Sequence, residues 1–127
     1  MSKPLDAIFF DIDDTLFSTT VFADKARRNA VDAMIRAGLR ANRKDAMQEL
    51  EDVIAEFSSN FSGHFDKVLD RLGPDSHAGH NRAVIVAAGV VGYHGTKESD
   101  LKVYDDVYST LQWLSNKTLT RGVISAG

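Results

Sequence analysis

Two short apolar runs, Ala7-Ile-Phe-Phe10 and Leu119 to Ile124, lie near opposite ends of this 127-residue chain and carry its β-strand signal. The first is continuously apolar rather than alternating, as expected of a strand buried inside a parallel sheet. From Ser18 to Ser99 the apolar spacing is instead helical, and a further helix is expected after Asp105. The order is strand, helical block, helix, strand. Its most economical reading is an α/β fold in which a strand–helix–strand unit carries a large insertion after its first strand.

Within the insertion, a helix is predicted from about Thr20 to Ala37, with Val21, Ala30, Ala33, Met34 and Ala37 on one face and Gly38 as its stop. Asn42 is a good N-cap for a second helix carrying Ala46, Met47, Leu50, Val53, Ile54 and Phe57 at helical spacing, with Asp45 at its third position. A third covers Gly63 to Leu72 and stops at Gly73-Pro74. A fourth spans about Ala78 to Lys97. Its run Ala83 to Val91 is β-prone in composition, but its length favours a helix. Asp105-Asp106 are placed to cap a last helix holding Val107, Leu111 and Leu114, which ends at Asn116-Lys117.

Composition narrows the chemistry. Fifteen basic and eighteen acidic residues leave a net charge of −3, which argues against a broad nucleic-acid-binding face. Without cysteine there is no thiolate nucleophile, disulfide or Cys-ligated metal, so only oxygen and nitrogen ligands remain, and oxygen suits magnesium. The longest apolar stretch, Ala83 to Val91, is far short of the roughly 20 residues that span a bilayer, and the first run is too short for a secretory signal. A cytoplasmic setting, without membrane or nucleic-acid partners, is the expectation.

Each apolar run ends in polar residues: Asp11-Ile-Asp-Asp-Thr15 after the first, Ser125-Ala-Gly127 after the second. Ligands of open parallel sheets bind at the carboxyl ends of strands. If the two strands are neighbours, Asp11, Asp13 and Ser125 meet at one site. The competing reading makes Asp13, Asp14 and Thr15 helix caps and Ser125 a turn residue, and both stay open here. In extended backbone, residues two apart share a side, so Asp11 and Asp13 can act together while Ile12 packs away. One ionised carboxylate can attack phosphorus while the other protonates the leaving oxygen and later takes a proton from water. Two anions beside a phosphate require a divalent cation, and magnesium fits an oxygen-only site. An EF-hand is excluded, because Leu16 stands where its loop needs glycine and Phe22 where it needs glutamate. No Gly-rich run precedes a Lys-Ser or Lys-Thr pair, so there is no P-loop.

The segment Phe9-Phe-Asp11-Ile-Asp13-Asp-Thr15-Leu16 resembles the first signature of the haloacid dehalogenase-like (HAD) hydrolase superfamily, an apolar strand followed by Asp-x-Asp-x-Thr. Gly122-Val-Ile-Ser125-Ala-Gly127 resembles its second, an apolar strand ending in Ser or Thr. The insertion between them is similar to the helical C1 cap, and Arg28-Asn-Ala30, Ser59 to Phe65 and Ala87 to His94 resemble archaeal-type members. The resemblance implies a partial Rossmann-like core from residues 1–17 and 101–127, with two parallel strands, and a helical cap from 18–100. It makes Asp11 the nucleophile that becomes an aspartyl-phosphate and Asp13 the acid/base. Mg2+ would be held by the Asp11 carboxylate and the Asp13 backbone carbonyl, and phosphoryl oxygens by the Ser125 hydroxyl and the Ala126 N–H. An acid at position 13 implies a phosphatase for a small phosphorylated metabolite rather than a dehalogenase, which has no ester to protonate.

The same resemblance calls for a downstream lysine and acidic pair that have no counterpart before Gly127; Asp105-Asp106 precede the second strand and cannot serve. The expectation is therefore a truncated chain, weak or inactive alone. One flank of its first strand would be open to a second copy or to a complementary C-terminal polypeptide. The alternative function is a non-catalytic fragment or assembly module. Among other candidates, Asn60, His64, Tyr93 and His94 either contact substrate from the cap or cap helices and face water. Arg28 either reaches an anion or belongs to a solvated helix face. His77 and His80 have metal-ligand spacing but no third partner in sequence, so a solvated loop is favoured. Trp113 reads as packing.

Overall fold

The structure, a computed structural model, describes residues 4–58 and 61–125. The elements run β1 (Ala7–Phe10), α1 (Thr19–Arg36), α2 (Arg43–Phe57), α3 (His64–Leu72), a 3-10 turn (Pro74–His77), α4 (Arg82–Asp100), α5 (Asp105–Ser115) and β2 (Thr120–Val123). Among the described residues the sheet is β1 and β2 alone, paired in parallel, which is the partial α/β core with an inserted helical block that the sequence predicts. The chain separates into two compact units: one of the residues up to Phe22 and from Leu101 onward, the other Ala23–Asp100. No helix among the described residues is long and apolar enough to cross a membrane.

In the sheet-containing unit the register pairs Ala7 with Thr120 and Phe10 with Val123. The ladder continues past the last pair, with the Ile124 N–H donating to the Phe10 carbonyl at 3.0 Å. Gly122 lies opposite Phe9, and the Phe9 ring fills the space a Cβ at Gly122 would need. β1 is less buried than its apolarity predicts: Phe9 is 57% exposed, and Val123 and Ile124 are exposed too. Trp113, expected to pack, is 60% exposed, with the Lys117 ammonium 4.4 Å from its ring centroid. The physical reason is shared, because a sheet of two short strands has too little surface to bury both of its faces. The unit's buried apolar side chains, Val107 and Leu114, are on α5. Asp105 and Asp106 lie in the first turn of α5 rather than capping it; the N-cap is Tyr104, and its side chain makes no capping bond.

The loop after β1 is closed by its own backbone. Ile12 carbonyl accepts from the N–H groups of Thr15 (3.3 Å) and Leu16 (3.0 Å), and the Tyr104 N–H donates to Leu16 carbonyl at 2.8 Å. Asp14 has φ = 59°, a left-handed conformation that Asp tolerates better than most residues. Its carboxylate accepts from the Thr19 N–H at 3.0 Å and the Thr19 hydroxyl at 2.8 Å, satisfying a donor at the start of α1.

The helical unit has a conventional core in which Val31, Met34, Leu50, Val53, Val68, Leu69 and Ile85 are almost wholly buried. On α1 the buried stripe is Ala26, Ala30, Val31 and Met34, with Ala37 packed on the core and Ala33 half-buried; of the predicted face only Val21, 72% exposed, lies away from it. α2 starts where its cap predicts: Asn42 accepts from the Asp45 N–H at 2.8 Å and donates to the Asp45 carboxylate at 2.8 Å. α4 begins at Arg82, later than expected, because the 3-10 turn and Gly79 (φ = 79°) use up the preceding residues and the Asn81 side chain caps Ala83. α4 lies close to α1: a Cβ at Gly92 would stand 3.0 Å from the Asn29 carbonyl oxygen, and the Asn29 amide donates to the Thr96 hydroxyl at 2.8 Å.

α1 ends in a Schellman motif, with Leu39 N–H to Met34 carbonyl and Gly38 N–H to Ile35 carbonyl, and Gly38 at φ = 122°. A Cβ at Gly38 would collide with the His80 ring. Gly38→Ala is expected to destabilise the fold by about 1–3 kcal/mol, read by urea denaturation. Asp14 yields a pH-dependent prediction. The Thr19 hydrogen bonds, backbone first, hold its carboxyl below the ordinary range. Its contribution is therefore complete above the unfolded value near about 3.9 and is lost as pH falls through the lowered folded value. Asp14→Ala should melt below wild type at pH 7, and the two melting temperatures should converge in strong acid.

Candidate active site

Parallel pairing puts the carboxyl ends of β1 and β2 side by side. Asp11 follows Phe10, and Ser125 stands two residues beyond Val123, its register partner. The Ile124-to-Phe10 hydrogen bond lies between these two positions, so the ladder persists up to both. Asp11, Asp13 and Ser125 are all exposed. The strand ends therefore bring together the two polar clusters that the sequence separates by more than a hundred residues. Ala126 lies outside the described residues.

The three acids after β1 have different tasks. Asp14 is committed to Thr19, so the helix-capping reading holds for it. Asp11 Oδ1 accepts from the Ile12 N–H at 2.8 Å, which ties the carboxylate to the strand terminus. The Asp13 backbone forms a bridge with Phe17, while its carboxylate makes no hydrogen bond or ion pair among the described residues. Capping thus uses Asp14 and leaves Asp13 available for chemistry. Alternation in sequence pairs Asp11 with Asp13, and the observed bonding separates both from Asp14.

Among the described residues no group of three or more His, Asp or Glu side chains is arranged to hold a metal. Magnesium does not require such a group, since it commonly keeps several waters and takes one or two carboxylates plus substrate phosphate oxygens. The oxygen donors of Asp11 and Asp13 fit that pattern as part of a shell. The His77/His80 pair does not: His80 packs on Gly38 and its Nδ1 lies 3.3 Å from the Ala78 carbonyl, while His77 Nδ1 lies 3.3 Å from the Ser76 hydroxyl.

In the helical unit His64 opens α3, and its Nε2 lies 2.6 Å from the Ser58 carbonyl oxygen. Because a carbonyl only accepts, Nε2 is the donor in this bond. His64 lines a cavity of about 430 Å³ together with Arg27, Tyr93 and His94. Arg28, the arginine weighed from sequence, instead pairs with Asp24 at 2.9 Å across one helical turn. The sequence does not single out Arg27, because two adjacent arginines on a helix carry no sign of which one faces inward. Asn60 lies outside the described residues.

No family model matches the chain. It is 41% identical over 125 residues to a glyceraldehyde 3-phosphate phosphatase of Methanopyrus kandleri, covering 97% of this chain and 52% of that protein. Against proteins of the same name, identity is 37% over 123 residues in Methanothermobacter thermautotrophicus and 39% over 125 in Pyrococcus furiosus. These alignments cover 97% and 98% of this chain, and 52% and 50% of the respective relatives. The chain is thus similar along nearly its whole length to named phosphatases, and it spans about half the length of these curated relatives.

Proposed function

We propose that this chain carries nucleophile, acid/base and phosphate-binding residues of a cytoplasmic, magnesium-dependent HAD-type phosphohydrolase, with residues 1–17 and 101–127 as part of a Rossmann-like core and 18–100 as a helical cap. The observation that carries the reading is the parallel β1–β2 ladder, which sets the Asp11–Asp13 loop beside Ser125. The names of the relatives point to a small aldehyde phosphate, glyceraldehyde 3-phosphate, as substrate.

An oxygen of the Asp11 carboxylate attacks phosphorus, and the bond from phosphorus to the ester oxygen breaks. Asp13 gives its proton to the leaving alkoxide. Acting then as base, Asp13 takes a proton from the water that attacks the aspartyl-phosphate, releasing phosphate and restoring Asp11. The Ser125 hydroxyl and the Ala126 N–H bind phosphoryl oxygens. The Asp11 carboxylate and the Asp13 carbonyl would hold magnesium, which would neutralise charge on the anionic nucleophile and phosphate.

Such a site still needs a lysine and an acidic pair, which this reading places in the part of the relatives' length that this chain does not span. Exposed Phe9, Trp113 and Ile124 support an assembly role for the same unit. They also favour the second reading, a non-catalytic fragment that binds but does not turn over.

The test is hydrolysis of glyceraldehyde 3-phosphate by the chain alone and mixed with the C-terminal half of the Methanopyrus relative. The expected result is background activity alone and magnesium-dependent, EDTA-sensitive turnover in the mixture, with Asp11→Asn reducing it by roughly a thousandfold or more. Turnover unaffected by Asp11→Asn would overturn the role of Asp11. A stable mixed complex with no turnover would establish the second reading.

A further inference from the structure

We propose that the cavity in the helical unit is a binding site for a small organic anion with an apolar body, recognised by Arg27. At about 430 Å³ it falls in the size range of small-molecule sites and holds more than a phosphate alone. Leu50, Ile54, Phe65 and Val90 line it with apolar surface. Phe61, also in the lining, is stacked on Phe57 with ring centroids 4.9 Å apart, which stiffens that wall. None of its lining residues belongs to the strand ends, so the inference does not depend on the phosphoryl chemistry proposed there.

Charge selects the ligand's sign. The described residues that line the cavity include no carboxylate, although the chain has more acids than bases. The nearby cations on α1 are already neutralised: Lys25 pairs with Asp100 at 2.7 Å and Arg28 with Asp24 at 2.9 Å. Arg27 makes no ion pair among the described residues. An arginine stays charged across the working pH range, and its planar fork suits a carboxylate or phosphate. Beside apolar walls an arginine–anion attraction is less screened than in open water. Ser62, His64 and His94 add polar groups at the same cavity. A headgroup on Arg27 and a hydrocarbon or ring body against Ile54, Phe65 and Val90 satisfy both halves of the lining.

The experiment is amide chemical-shift titration of the 127-residue chain with 3-phenylpropionate, and with neutral 3-phenylpropan-1-ol as the matched control. The acid should saturate at millimolar concentration and move the amides of Ile54, Phe65 and Val90, with the alcohol binding about tenfold more weakly. Arg27→Met should bring the acid down to the alcohol's affinity, and Arg27→Lys should keep most of the difference. Val90→Glu, which leaves Arg27 in place and adds a carboxylate to a partly exposed wall position, should abolish acid binding even if an Arg27 variant folds poorly. Equal affinity for acid and alcohol, wild-type binding by a folded Arg27→Met, no saturation by the acid, or shifts confined to the Asp11–Leu16 loop and Ser125 would each overturn the proposal.

Discussion

Everything proposed for the strand ends depends on β1 and β2 finding each other across the helical block. Two four-residue strands make few hydrogen bonds, and joining them closes a loop of over a hundred residues. The helical unit lowers that cost because α1 and α4 are packed together, through the Gly92 approach to Asn29, the Asn29–Thr96 bond and the Lys25–Asp100 pair. With Ala23–Asp100 already folded, the remaining closure involves far fewer flexible residues, a saving of about 1 kcal/mol in chain entropy. Surface ion pairs contribute little energy individually, so the buried core of the helical unit is what sustains this arrangement.

Much of the architecture was legible in the residues because the signals are local. Asn42 with Asp45 marks a helix start by the hydrogen bonds those side chains can make, and Gly38 marks a stop by the backbone angle it alone adopts cheaply. The apolar positions of α2 alternate at the period of the helix they form. Val21 stands nine residues from Ala30, about two and a half turns along, so the helical period itself turns it away from the buried stripe. The other readings that shifted depend on what surrounds an element. Phe9 is as apolar as buried residues elsewhere, yet burial needs a partner surface, and spacing alone says nothing about whether one exists. The start of α4 moved because a 3-10 turn competes for the residues after Pro74.

The acidic cluster was partly legible for a related reason. Asp11, Asp13 and Asp14 are chemically alike, and alternation separates only the first two from their neighbour. Hydrogen bonding divides the labour: Asp14 takes a left-handed backbone and secures Thr19, while the Asp13 carboxylate is left without such a duty. For the adjacent arginines, Arg28 faces Asp24 and Arg27 faces the cavity. In both cases side-chain type sets what a residue can do, and the geometry of one turn decides which of two neighbours does it.

Placing the Phe9 ring over Gly122 has a consequence for how this sheet tolerates change. The glycine's missing side chain is replaced by a ring from the adjacent strand, so the two positions behave as one composite surface. Any enlargement on one side evicts the aromatic from the other, and the displaced ring would become a greasy projection beside the acidic loop. Evolutionary drift at these two sites should accordingly proceed in tandem, a small residue facing a large one whichever strand holds which.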